Sequence, residues 1–148
     1  MARPEEAKSV EAFRKAKTGV EMIRSWASQT PGRKTAELEK LLERMCDTRL
    51  DLFEHYAQKP LADMMDRGIL DRKTREMIMI GVLMGMEDVT GVVAHVQNAV
   101  AAGVTEEELW EVVAIAMYEA GKHSLSAGAM LTQGLEACEK NGVTLYKP

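Results

Sequence analysis

The run "MIMIGVLMGM", residues 77–86, is the longest uncharged apolar stretch in the chain. A membrane-spanning helix needs about 20 such residues, so this run is too short to read as a span. Methionine and leucine lose little rotamer freedom in a helix, and no polar residue alternates with them as a half-buried strand would require. A helix apolar nearly all round belongs at the centre of a helical assembly, and burial on every side is the expectation for this one. Glu76 stands directly before the run, and His95 follows it after "EDVTGVVA". A carboxylate and an imidazole flanking so apolar a segment raise the question of whether they meet.

The rest of the chain supports an all-α fold. Aromatic residues make up only 5% of it while methionine is abundant, a balance that favours helices over strands. Residues 4–28 carry a sparse helical stripe of Val10, Phe13, Val20, Ile23 and Trp26, broken after it by Pro31 and Gly32. Residues 1–33 therefore read as an N-terminal helical arm and 34–148 as the main helical domain. A helix is predicted from Thr35 to Phe53, then a short element from Pro60 that Gly68 stops. Asp71 is placed to cap the helix "RKTREMIMIGVLMGM". "EDVT" reads as a connection to a helix "GVVAHVQNAVAAG", and Thr105 with Glu108 forms a capping box opening a helix to Gly121. A last helix is predicted over 124–140.

Charge and cysteine usage narrow the function. A net charge of -4 argues against nucleic acid as a partner, because phosphate binding needs clustered cations. No membrane is implied, and the N-terminal sequence lacks a signal peptide's apolar core, so a cytoplasmic location is expected. Cys46 and Cys138 form no Cys-x-x-Cys pair, and among Glu76, Glu87, Asp88, His95 and His123 no histidine stands at helical ligand spacing from a carboxylate, so no metal or other cofactor is expected.

Helical spacing puts Glu76, Ile80, Leu83 and Glu87 on one face, and Gly91, His95 and Asn98 or Ala99 on another. Gly91 is expected to leave a gap one turn before His95. Two antiparallel helices joined by a short loop lie side by side. That would bring Glu76 and His95 to similar depth as an acid–base pair, although spacing alone does not establish contact.

The "RKTRE" helix start, the histidine helix "AHVQNAV" and the box "AGVTEEELWEV" together resemble the carboxymuconolactone decarboxylase family, whose relatives include alkylhydroperoxidase D proteins. The resemblance covers Leu61 to Glu139, about half the chain. In the peroxidase branch a glutamate precedes a Cys-x-x-Cys-x-x-x-His motif by twelve residues. Glu76 and His95 keep that register, but Asp88 and Gly91 occupy the cysteine positions. Dithiol peroxide reduction is therefore not expected, since neither residue supplies a thiolate. The decarboxylase branch carries a His-Glu dipeptide where this chain has Thr90 and Gly91, so that pattern is broken too.

What the resemblance implies is a homo-oligomer, a trimer or hexamer, acting without a cofactor on a small-molecule substrate. The leading reading is an acid–base enzyme for a small carboxylate, lactone or other carbonyl compound. In a decarboxylase-like version, carbon dioxide leaves a dienolate that His95 protonates, while Glu76 holds the ring's tautomer. Lys122 and His123, in the helix break "YEAGKHSLSAG", are candidate binders of a substrate carboxylate, with Tyr118 and Asp88 beside them as candidate contacts. His55 reads as structural at a helix end, although the resemblance allows His55 or Tyr56 a part in a pocket at a subunit boundary. The rival readings are an antioxidant protein using Cys46 or Cys138, and a non-catalytic binding protein.

Overall fold

The computed structural model describes residues 21, 36–59, 63–64, 67–120 and 124–145. All the regular elements among them are helical, in keeping with the all-α expectation. The expected arm over residues 1–33, apart from Glu21, and the helix start at Pro60 lie outside the described residues. The described chain divides between Leu70 and Asp71 into two compact units.

In the first unit, α1 spans Ala36–Thr48 and α2 spans Leu50–Leu52, continuing into a π-helical segment, Phe53–Gln58. One continuous helix to Phe53 was the expectation, but Arg49 departs from it at φ -147° and ψ 65°. Three local bonds accompany the break. The Thr48 hydroxyl donates back to the Arg44 carbonyl at 2.6 Å, which bends helices, and the Arg49 guanidinium grips the Asp51 carboxylate through two bonds. Among the described residues of this unit, Leu42 and Phe53 are the buried apolar side chains.

The second unit holds α3 (Arg72–Gly85), α4 (Val89–Ala101), α5 (Glu106–Ala120) and α6 (Ser124–Asn141). Helix α3 packs on α4 and α5, and α6 packs on the same two. Their shared core includes Ile80, Met84, Val92, Val96, Leu109, Val113 and Leu131. Each such side chain contributes about 1.5–3 kcal/mol on burial. Helices α4 and α6 approach closely at Gly134, where an added Cβ would lie 2.7 Å from Val96 Cβ. Burial of α3 on every side does not hold. Ile78, Val82 and Met86 are exposed, because the neighbouring helices cover only the faces carrying Glu76, Ile80 and Met84 and the flank at Gly81.

Local caps set the boundaries. Asp71 accepts from the Thr74 amide at 2.9 Å and opens α3 as expected. Glu87 sits in the left-handed region at φ 58°, and the Asp88 amide returns to the Leu83 carbonyl at 3.0 Å. Asp88 then caps α4, so Val89 and Thr90 are helical rather than part of the connection. Gly103 and Gly142 adopt positive φ just beyond α4 and α6, where side chains with a Cβ are disfavoured.

The capping box forms as read from sequence. The Glu108 amide donates to Thr105 Oγ1 at 3.2 Å, and the Thr105 amide donates to Glu108 Oε2 at 2.9 Å. Glu108 Oε1 also meets Lys73 Nζ at 2.7 Å, tying the start of α3 to the start of α5. The Lys73 ammonium, and after it the Thr105 amide, hold the Glu108 carboxyl below its ordinary 4.5. A carboxyl lowered on folding stabilises above its ordinary value and loses that contribution as pH falls through the folded one. Acid unfolding followed by circular dichroism is thus expected to lose part of its slope below about pH 4.5 in Glu108→Gln. An unchanged slope would show that the carboxylate contributes nothing there.

Candidate active site

Glu76 lies in the second turn of α3, on the same inward face as Ile80 and Met84. His95 lies mid-way along α4, among the buried Val92, Val96 and Ala99. Packing of α3 on α4 brings the two together, with His95 Nδ1 2.7 Å from Glu76 Oε2. The carboxylate residue is only 5% exposed, and the imidazole is partly covered. Among the described residues this ring is the only group paired with the carboxylate.

The chemistry of the partner dictates the proton's place. An ionised carboxylate only accepts, so the short contact requires a hydrogen on Nδ1. In the neutral ring that assigns the lone pair to Nε2, and a proton taken up or given away passes through that atom. The pair is therefore an oriented base, or an oriented acid once protonated, on rigid helices rather than on a loop.

The other predicted residues are dispersed. Asp88 accepts from the Gly91 amide at 2.8 Å, so its carboxylate serves the α4 cap at an exposed position. The gap expected at Gly91 is absent. A Cβ there would fall 2.6 Å from Asp88 Oδ2 and 2.9 Å from Leu83 Cδ2, which already fill the space. The two positions aligned with a dithiol thus form a helix cap. Tyr118 is 92% exposed near the end of α5. Lys122 and His123 lie outside the described residues, as does the Tyr56 side chain. His55 belongs to the first unit, where its Nδ1 is 3.0 Å from the Asp51 carbonyl.

Gln97 and Asn98, both buried on α4, were not singled out from sequence. Gln97 donates to the Val93 carbonyl at 3.1 Å and accepts from Asn141 Nδ2 at 2.7 Å, an amide link between α4 and α6. The signal available was a pair of adjacent amides inside the apolar period of "VVAHVQNAVAA". Among the described residues no three His, Cys, Asp or Glu side chains group as a metal site would need.

Cys138 is fully buried in the α6 core, and desolvation, with a smaller push from Glu139, raises its thiol to about 11. A thiol raised on folding costs stability as pH climbs from its ordinary 9 towards that value. Cys138 is expected to resist a thiol reagent at pH 8 in the folded chain and to react fully in denaturant, as read by mass spectrometry. Rapid labelling of the native protein would contradict its burial.

Among the described residues, the packed helices α3 and α4 enclose an inward-facing imidazole–carboxylate pair within an all-helical unit. The chain belongs to the carboxymuconolactone decarboxylase family, whose model matches residues 50–133, more than half its length. No curated protein and no solved structure matches it. No described helix is long and apolar enough to cross a membrane.

Proposed function

We propose that the chain is a cofactor-independent acid–base enzyme acting on a small carboxylate, lactone or other carbonyl compound. The observation carrying this reading is the 2.7 Å contact between His95 Nδ1 and the buried Glu76 carboxylate. In a decarboxylation, the bond from the α-carbon to the carboxyl carbon breaks and carbon dioxide departs. Its electron pair enters a dienolate, and the imidazolium delivers the Nε2 proton to carbon. Glu76 holds the ring through Nδ1 and offsets the imidazolium charge. The ring regains its proton from water, so one carrier suffices.

A thiol-based antioxidant reading has little support, since Cys138 is buried with a raised pKa and the motif cysteines are absent. Lys122, His123 and Tyr118 remain proposed substrate contacts. Asp88 is the weakest of the set, its carboxylate being taken up by the α4 cap. The reading includes a cytoplasmic homo-oligomer, a trimer or hexamer, in keeping with the exposed Ile78, Val82 and Ile115 of α3 and α5.

The test is a panel of β-keto acids and carboxylated γ-lactones incubated in D2O, scored for carbon dioxide release and for deuterium at the product carbon. Turnover in the parent that falls about 10²–10⁴-fold in His95→Gln is the expected result. Turnover undiminished in that variant would remove His95 from the chemistry. A ligand that binds without reacting in either form would favour the non-catalytic reading.

A further inference from the structure

A second polar site lies in the first unit and includes no residue of the proposed reaction. His55, Lys59, Asp63, Met64 and Arg67 line a hollow of about 510 Å³. Three of the five carry or can acquire positive charge, against one carboxylate. Among the described residues neither Lys59 nor Arg67 forms an ion pair, and both are exposed. Asp63 is itself engaged in another interaction. Two cations and a histidine against one carboxylate around the hollow give it a positive bias for a ligand to neutralise.

The backbone beneath them is unusual in the same place. Phe53–Gln58 is π-helical, and the Lys59 amide reaches back five residues to the Glu54 carbonyl. Such turns give up regular helical bonding and occur frequently at functional sites. The His55 ring is anchored at Nδ1 by the Asp51 carbonyl, so its Nε2 is the atom that can serve a ligand, as a donor once the ring is protonated.

We propose that this hollow binds a compact oxyanion, phosphate or a small carboxylate, between Lys59 and Arg67, with His55 as a third contact. Charge-assisted bonds from an ammonium and a guanidinium suit either oxyanion. The site stands apart from the Glu76–His95 reading and does not depend on it.

The full chain titrated with inorganic phosphate, and separately with succinate, at ionic strength held constant with sodium chloride, tests this by amide NMR. Saturable shifts confined to residues 50–70 are expected. The affinity should weaken at least about tenfold in the Lys59→Met/Arg67→Met double variant and be unaltered in Glu76→Gln. The tighter of the two anions names the ligand class. Shifts that are not saturable, or that persist undiminished in the double variant, overturn the proposal. A circular dichroism spectrum equal to the parent's excludes unfolding as the reason for any loss.

Discussion

Truncating His95 to alanine is expected to lower folding stability by about 3 kcal/mol, measured by urea unfolding at pH 7. The physical cause is the group left behind. Glu76 is 5% exposed, and among the described residues only the imidazole satisfies it. A buried carboxylate stripped of its partner carries its full desolvation penalty. Glu76→Gln is the informative contrast, because the amide oxygen still accepts from Nδ1 and no charge is stranded. That change is expected to cost about 1 kcal/mol or less. Equal and small losses for both variants would mean that the pair is more hydrated than its burial indicates.

Gly134→Ala should destabilise the second unit by about 1–2 kcal/mol, although alanine is the better helix former by about 1 kcal/mol. The new methyl would sit 2.7–2.9 Å from three atoms of Val96, including the inflexible Cβ, so α4 and α6 must move apart. Gly85→Ala supplies the control. A Cβ there meets nothing within 4 Å, and the substitution should be neutral or stabilising. The melting temperature should therefore fall in Gly134→Ala, by about 2–4 °C per kcal/mol, and hold or rise in Gly85→Ala. A stabilising Gly134→Ala would contradict the close approach of the two helices.

Much of this architecture was legible because its causes are local. The Asp71 cap, the Thr105–Glu108 box and the Gly103 stop each depend on residues within one turn, and all three appear where the sequence places them. What escaped depends on rotation and packing. Gly91 read as a gap because glycine lacks a side chain, yet Asp88 folds back to occupy that volume while bonding the same residue's amide. The break at Arg49 comes with side-chain bonds that periodicity does not register, and the π-helical turn after it leaves no mark in the apolar spacing. The outward face of α3 escaped for a different reason, since an apolar residue's type does not say which neighbour will cover it.

The candidate site was half legible in the same sense. Glu76 and His95 could be named from the family register, but their contact depends on how α3 and α4 rotate against each other. That rotation is set by Ile80, Met84, Val92 and Val96 interlocking in the core. Gln97 and Asn141 add a polar lock between α4 and α6 whose two members lie far apart in sequence.

The most direct measurement is the ¹⁵N shift pair of the His95 ring, taken at a pH where the imidazole is neutral. Hydrogen on Nδ1 and none on Nε2 is the predicted pattern, with coupling to a downfield proton shared with Glu76. Hydrogen on Nε2, or a ring averaging between the two forms, would contradict an oriented acid–base couple.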